Sequence, residues 1–343
     1  MRLKAIVPAL ALLAACTAGQ ASAAEPAQSV AISKRIVLLV DEIKAIRNFP
    51  LVVAERLGYL KGGGMDVTVM NVRDDVFHDA LLMDGRIDAV MAYYHHNIVN
   101  QSKGERTQAI VTLGVTPGAK VLVANQVKDK YRTNADLKGS RIIAGGAGSS
   151  KTTVSNYLVM AGGYSLADYT RLGTEGKEKN AAALKSGAAD LIVAPTPDYE
   201  YYEAQGVATT FADLTTAEGT RKSVGALFPS STIFMASERI KAHPEMAQHL
   251  ADAMVRALRF INTHTAEEIA DIIPPEICGK DRAAYLKLLK QELPMFASDG
   301  RMPQDGAEKE WRVLAEFNPK FKAVKVGDTY TNRFVDAALQ KYR

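Results

Sequence analysis

The 343-residue chain contains very little cysteine, only Cys16 and Cys278. Cys16 lies in an N-terminal segment that we expect to be removed or lipidated, which leaves one thiol and no internal disulfide. This excludes the small, disulfide-held class of secreted domain. The fold must be held by a hydrophobic core, and a chain of this length buries enough apolar surface for one. We expect Cys278 to be a packed apolar residue, with a catalytic thiol as the alternative.

The sequence also has only one long apolar run, and its net charge is small. The one long apolar stretch, Ala5–Ala15, is too short to span a bilayer, which excludes a polytopic membrane protein. Residues 1–23 contain Arg2 and Lys4, and the rest of the chain carries 40 basic and 38 acidic residues. No basic block stands out in that remainder, so the sequence predicts no nucleic-acid partner. A hydrophobic content of 47% excludes a disordered chain.

Motifs for catalysis and metal binding are missing. The sequence has no Gly-x-Ser-x-Gly, His-Glu-x-x-His or Cys-x-x-Cys pattern, and its six histidines are scattered apart from His95 and His96. Adjacent histidines point in different directions on a helix and make a poor metal pair. We therefore predict no metal, no cofactor and no enzymatic activity.

The first segment has the pattern of an export signal. Arg2 and Lys4 precede the apolar stretch, and the small residues Ala21–Ala23 favour cleavage after Ala23. The alternative is a lipobox ending at Cys16, which would tether the protein to a membrane. The sequence predicts a signal peptide over residues 1–23, a flexible leader over 24–34 and a periplasmic location.

The body of the chain alternates between strand and helix patterns. Ile36–Val40 is a continuous apolar run, typical of a parallel strand buried on both faces, and Asn48 with Pro50 predicts a helix start. A second alternation begins near Arg141, and helical patterns dominate after Pro244. Two rounds of alternation predict an α/β protein with two lobes, each a mostly parallel sheet flanked by helices.

The glycine-rich turn before the second-lobe helix is the strongest local signal. It contains Gly148, Ser149, Ser150, Lys151 and Thr152. Ser150 replaces the glycine that a nucleotide-binding P-loop needs before its lysine, which argues against nucleotide binding. A glycine-rich turn opening a helix presents N–H groups and a positive dipole end to an anion. The alternative is that Ser149 or Ser150 only caps the helix.

Other polar and aromatic side chains follow predicted strands. Ligands in open α/β sheets lie at the carboxyl ends of strands, so these residues are expected to face one crevice. The candidates are Lys44, Arg47 and Asn48 after the first strand, Tyr93, Tyr94 and His95 after the third, and Thr196 and Asp198 in the second lobe. The alternatives are a solvated loop for Lys44 and Arg47, packing for Tyr93 and Tyr94, and a helix cap for Asp198.

Several stretches together resemble a known family. They are residues 54–60 (AERLGYL), 84–89 (DGRIDA), 136–142 (DLKGSRI), 148–150 (GSS) and 182–190 (AALKSGAAD). Their order and spacing resemble the substrate-binding proteins of ABC importers for sulfonates, taurine, nitrate and thiamine-precursor pyrimidines. The resemblance covers roughly residues 36–262.

The resemblance implies a Venus-flytrap fold, the periplasmic binding protein type II fold, with ligand in the cleft between the lobes. Residues 35–122 and 228–343 would form a discontinuous first lobe, residues 123–227 the second, and the chain would cross near 118–126 and 224–236. The implied protein is a monomer that binds a small organic anion of sulfonate or carboxylate type, aromatic anions included, by hinge closure and delivers it to an ABC permease with its ATPase. The alternatives are a binding protein for a pyrimidine thiamine precursor, an exported enzyme on this fold and a signalling receptor.

Overall fold

The computed structural model describes residues 34–41, 43–72, 78–146 and 149–343. The predicted signal peptide, nearly all of the predicted leader, and Gly148 lie outside these residues. Lys34, the last residue assigned to the leader, is the first residue of a strand.

The elements alternate through most of the chain. The first group comprises β1 (Lys34–Asp41), α1 (Phe49–Arg56), β2 (Lys61–Gly62), β3 (Met65–Val72), α2 (His78–Met83), β4 (Ala89–Ala92), α3 (His95–Ser102) and β5 (Thr107–Thr112). The second group comprises β6 (Ala119–Ala124), β7 (Arg141–Ile143), α4 (Ser150–Ala161), β8 (Thr170–Leu172), α5 (Lys177–Ser186), β9 (Leu191–Pro195), α6 (Asp198–Ala204), β10 (Ala208–Leu214) and α7 (Ala217–Val224). The last group comprises β11 (Thr232–Ala236), α8 (Ser237–Ala242), α9 (Pro244–Thr263), α10 (Ala266–Ile272), α11 (Pro275–Cys278), α12 (Arg282–Glu292), α13 (Gln304–Phe317) and α14 (Arg333–Lys341).

Two sheets organise these elements into two lobes. The first lobe is built on a sheet of order β2-β3-β1-β4-β11-β5, and the second on a sheet of order β10-β6-β9-β7-β8. Strand β1 is parallel to β3 and β4, whereas β11 is antiparallel to both of its neighbours. Strand β6 is likewise antiparallel to β9 and β10. The predicted two-lobe fold is confirmed, but the sheets are mixed rather than mostly parallel, because strands next to the crossings run against the others.

The predicted first strand is buried on both faces. Leu38 packs into one apolar cluster of the first lobe with α1 and α9, and its neighbour Leu39 packs into a cluster on the opposite face. Both side chains have no exposed surface, which explains the continuous apolar run. Cys278 is half-buried against the first of these clusters, as expected for a packed residue. None of the helices in the described part of the chain is both long enough and apolar enough to span a bilayer.

The chain crosses between the lobes in two adjacent segments, residues 113–118 and 225–231. They are joined by backbone hydrogen bonds, from Leu113 N to Ser231 O at 2.7 Å and from Ser230 N to Gly114 O at 3.0 Å. The first crossing ends at residue 118, the residue at which the predicted range of 118–126 begins. The predicted boundary between residues 122 and 123 falls inside β6, and all of β6 pairs in the second sheet.

The C-terminal helices pack on the first lobe and also reach the second. Val313 on α13 lies in the apolar cluster of the second lobe. Asp305 at the start of α13 accepts a hydrogen bond from Arg221 at 2.5 Å, and Gln291 on α12 donates one to Glu200 at 2.6 Å. These contacts brace the side of the molecule where the chain crosses.

Candidate functional site

The carboxyl ends of β1 and β4 bring two of the predicted residues together. Arg47 lies in the short 3-10 turn Ile46–Asn48, and its guanidinium carbon is 5.4 Å from the centre of the Tyr93 ring. Tyr93 is half-buried and packs against the apolar cluster of the second lobe. An arginine over an aromatic face makes a favourable cation–π contact. Asn48 precedes α1 as predicted and is fully buried.

His95 begins α3 directly beside this pair. Its ring stacks on Tyr93 with centroids 5.9 Å apart, and its Nδ1 lies 4.0 Å from Oε1 of Glu310. Glu310 is buried, and burial raises its pKa from 4.5 to about 8. A buried carboxyl group that is largely protonated at neutral pH therefore lies beside His95.

Tyr94 occupies a different environment from Tyr93. It has no exposed surface, and its hydroxyl oxygen is 2.5 Å from Oγ1 of Thr329 within the first lobe. Burial raises the pKa of its phenol. The structure therefore supports the packing alternative for Tyr94, whereas Tyr93 faces the other lobe.

The glycine-rich turn of the second lobe is held by its own hydroxyl groups. Ser149 is the cap of α4: its Oγ accepts a hydrogen bond from the Thr152 backbone N–H at 3.2 Å and lies 3.0 Å from the Ala144 carbonyl oxygen, to which it donates. Thr152 is buried and donates to the Gly146 carbonyl at 2.8 Å. The capping alternative is thus present, and the hydroxyls of Ser149 and Thr152 fix the loop. Ser150 and Lys151 form the first turn of the helix, half-buried.

Lys151 and Asp198 line a small cavity of about 160 Å³ in the second lobe, together with Lys177. Lys177 Nζ is 2.6 Å from an Asp198 carboxylate oxygen, and this hydrogen bond raises the pKa of Lys177. Asp198 is the first residue of α6, and Pro197 occupies the cap position that was expected for it. Proline has no N–H to leave unpaired and suits the position just outside a helix. Asp198 therefore serves as an ion-pair partner.

Lys44 of the first lobe and Thr196 of the second lie at one shared cavity. Both line a cavity of about 240 Å³, together with apolar residues of α1 and of the C-terminal helices. The backbone N–H and the hydroxyl of Thr196 both donate to the Gly118 carbonyl, at 3.1 and 3.2 Å. Thr196 is thereby fixed to the crossing segment, and Lys44 lies exposed in the loop after β1. This is the point at which predicted residues of both lobes share one space.

Two buried carboxyl groups with raised pKa values, Glu292 and Glu310, were not among the predicted residues. Glu310 lies on the apolar face of α13 between Ala307 and Val313, and Glu292 follows Leu289 by three residues on α12. Burial raises the pKa of Glu292 from 4.5 to about 7. A glutamate in register with an apolar helical stripe is the sequence signal that would have identified both.

The model of the NMT1/THI5-like family matches residues 46–268, which include both crossings and most of both sheets. The chain belongs to this family. The resemblance inferred from residue patterns is confirmed, and the match extends slightly beyond its C-terminal limit.

Solved structures of similar fold include binding proteins and an enzyme. A protein from Bordetella bronchiseptica RB50 is 28% identical, with a TM-score of 0.69 over 90% of this chain and 98% of its own. The periplasmic aliphatic sulphonate binding protein SsuA of Escherichia coli is 15% identical, with a TM-score of 0.63 over 85% and 94%. The desulfurization enzyme DszB is 16% identical, with a TM-score of 0.57 over 90% and 100%. No match was found among curated proteins. The fold is that of the periplasmic binding proteins.

Proposed function

We propose that this protein is the periplasmic solute-binding component of an ABC importer, and that it captures a small organic anion of sulfonate or carboxylate type between its lobes. The observation that carries the proposal is the shared cavity of Lys44 from the first lobe and Thr196 from the second. A ligand there contacts both lobes, and only such a ligand favours a closed form over an open one.

Positive groups at the carboxyl ends of strands in both lobes support an anionic solute. Arg47 and Lys44 follow β1 in the first lobe, and the N-terminal end of α4 with Lys151 lies at the carboxyl end of β7 in the second. An anion gains from cationic side chains and from the positive end of a helix dipole. The closed protein would then dock on a membrane permease whose ATPase drives release, with the binding protein acting as a monomer.

Calorimetric titration of the purified protein tests this proposal. The solutes are methanesulfonate, benzenesulfonate, acetate and benzoate, with glucose and choline as neutral and cationic controls. We expect binding of at least one anion with one site per chain, and a smaller radius of gyration by X-ray scattering when it is bound. Binding of the neutral or cationic controls alone would overturn the anionic assignment. A permease gene and an ATPase gene beside this gene would support import over signalling.

A ring-shaped, uncharged solute is the second candidate, and Tyr93 favours it. A pyrimidine thiamine precursor would stack on the half-buried Tyr93 ring and depend little on the two cations. Substituting Lys44→Gln and Arg47→Gln together separates the candidates, because anion binding would be lost while stacking of the pyrimidine would persist.

An exported enzyme remains the alternative of a different class, since DszB shares this fold. It predicts that a bound solute is converted. The distance of 4.0 Å between His95 and Glu310 is longer than a hydrogen bond, which gives no assembled acid–base pair there. Mass spectrometry of the solute after prolonged incubation with the protein decides the matter: we expect the solute to be recovered unchanged.

A further inference from the structure

The cavity shared by Lys44 and Thr196 has mainly apolar walls and a charged mouth. Its volume is about 240 Å³. Its lining includes Ile46 from the turn after β1, and Phe49 and Val52 from α1. Ile277 and Leu288 of the C-terminal helices close the opposite side. Most of the lining is hydrocarbon, so the cavity favours an apolar occupant over a small hydrated ion.

The floor of the cavity is rigid. Phe49 is buried, and its ring stacks on Phe296 with centroids 6.1 Å apart. Val52 is buried one turn further along α1. Side chains packed this tightly leave the shape of the wall largely fixed, so the volume is available without rearrangement of the core.

Tyr285 is the polar exception in the apolar wall. It lies on α12, the residue is 9% exposed, and its hydroxyl has no hydrogen-bond partner among the described residues. Burial raises the pKa of this phenol to about 12, so it remains an O–H donor at all physiological pH values. A buried hydroxyl without a partner costs free energy, and a ligand that supplies the partner recovers it.

The mouth of the cavity carries the charge. Lys44 is exposed there, and within the described part of the chain it forms no ion pair. Thr196 approaches from the second lobe. The polar groups are therefore a cation at the rim, a hydroxyl from the opposite lobe and a phenol in the wall.

We propose that this cavity is the subsite for the apolar body of the solute, and that Tyr285 selects solutes with a hydrogen-bond acceptor on that body. The solute class is an aromatic or short branched-chain sulfonate or carboxylate whose anionic group lies at Lys44. An engineered cavity of about 150 Å³ accommodates benzene, so this larger one accommodates a substituted ring. This inference rests on the proposed function and adds the identity of the solute body.

The test compares solutes that share an anionic group and differ in size. Calorimetry of the purified protein is performed with methanesulfonate, benzenesulfonate and 4-hydroxybenzenesulfonate. We expect benzenesulfonate to bind at least tenfold more tightly than methanesulfonate, because each buried methylene-sized group contributes about fourfold. We expect Tyr285→Phe to weaken 4-hydroxybenzenesulfonate by about threefold to tenfold and to leave benzenesulfonate unchanged.

A second experiment fills the cavity with a larger side chain and includes a matched control variant. Leu288→Trp places a larger side chain in the cavity, whereas Leu286→Trp adds the same side chain at a half-buried position of α12 outside it. We expect Leu288→Trp to weaken benzenesulfonate at least tenfold and methanesulfonate less than twofold, and Leu286→Trp to change neither. Ala45→Leu fills the cavity from the other side and replaces Leu288→Trp should that variant unfold.

The outcomes separate the subsite from the proposed function. Equal binding of methanesulfonate and benzenesulfonate, unaffected by either filling variant, would overturn the subsite and leave the solute-binding function standing. Failure of every sulfonate and carboxylate to bind would overturn the proposed function, and the subsite with it. Tighter binding of benzenesulfonate that Leu288→Trp and Ala45→Leu do not alter would place the apolar body elsewhere and overturn the subsite.

Discussion

Glu310 lies with its carboxyl oxygen Oε1 4.0 Å from Nδ1 of His95, at the place where the two lobes meet. The helix that carries Glu310 packs against α4 of the second lobe. Tyr94 from the first lobe and Tyr157 from the second lie near it: burial raises the pKa of both phenols, and the charge of Glu310 adds to the shift. A buried carboxyl group is thus surrounded by groups from both lobes, and its ionisation affects the stability of their contact.

The first prediction concerns stability against pH. The pKa of Glu310 is about 8 in the folded protein and 4.5 when exposed, so between these values the folded chain holds a proton that the unfolded chain has lost. Stability therefore falls as pH rises through this window, by about 1.4 kcal/mol for each unit of pKa difference. Urea unfolding at about pH 5, 6.5 and 8 measures it. We expect a loss of several kcal/mol across the series.

Two variants separate the contributions of Glu310 and Glu292 to the pH dependence of the free energy of unfolding. Glu292 contributes in the same direction up to its pKa of about 7, so it must be separated from Glu310. Glu310→Gln should remove most of the loss above pH 7, and Glu292→Gln should remove part of the loss below it. Identical pH profiles for the parent protein and Glu310→Gln would show that the account of this group is incorrect.

Adjacent tyrosines provide the second prediction. Tyr94→Phe removes a buried hydrogen bond to Thr329 and should lower the free energy of unfolding by about 1 kcal/mol without changing solute affinity. Tyr93→Ala removes the ring that contacts Arg47 and the second lobe, and should weaken solute binding at least fivefold. Urea unfolding and calorimetry on both variants check the contrast, and weaker binding in Tyr94→Phe alone would contradict it.

The third prediction concerns the two cations. Arg47→Gln and Lys44→Gln should each weaken an anionic solute about tenfold, because a hydrogen bond to a charged group contributes more than a neutral one. The loss for the exposed Lys44 should shrink at high ionic strength, and the loss for the half-buried Arg47 should shrink less, since salt screens exposed charges more strongly. Lys61→Gln on the short strand β2 is a control of the same chemistry outside the site. Titrations at about 0.05 and 0.5 M salt measure the effect, and an equal loss in the control would refute a local role.

The crossing segments give the fourth prediction. A Cβ on Gly114 would lie 2.2 Å from Oγ of Ser230 and 3.6 Å from its Cβ. Gly114→Ala should therefore force the two segments apart and lower the unfolding midpoint, whereas Ser230→Ala alone should have little effect. The double variant should regain most of the loss, because the atom that clashes is gone. Thermal unfolding of all four proteins completes the cycle, and absence of rescue would mean that the backbone approach is not limited by Ser230.

Much of the fold could be predicted because local patterns and tertiary structure agree. Leu38 and Leu39 belong to a continuous apolar run, and the structure buries them on opposite faces of one sheet. The mixed strand order could not be predicted in this way. Strand β11 has the same apolar character as its neighbours, and its antiparallel direction follows from the chain returning through the second crossing.

The site was only partly readable from the sequence. The rule that ligands lie at the carboxyl ends of strands selected residues that lie near one another in the structure: Arg47 lies beside Tyr93, and Lys44 lines one cavity with Thr196. The same rule gave no way to distinguish Tyr93 from Tyr94, which differ in the direction of one side chain. Tyr285 and Glu310 come from C-terminal helices whose approach to the cleft depends on long-range packing that no local pattern encodes.

Calorimetric titration with benzenesulfonate, followed by mass spectrometry of the recovered solute, tests the central claim most directly. We expect binding at one site per chain and a contraction of the protein in solution. We also expect at least tenfold weaker binding in the Lys44→Gln, Arg47→Gln double variant, and a chemically unchanged solute. Binding that ignores the two substitutions, or a solute that returns converted, would contradict it.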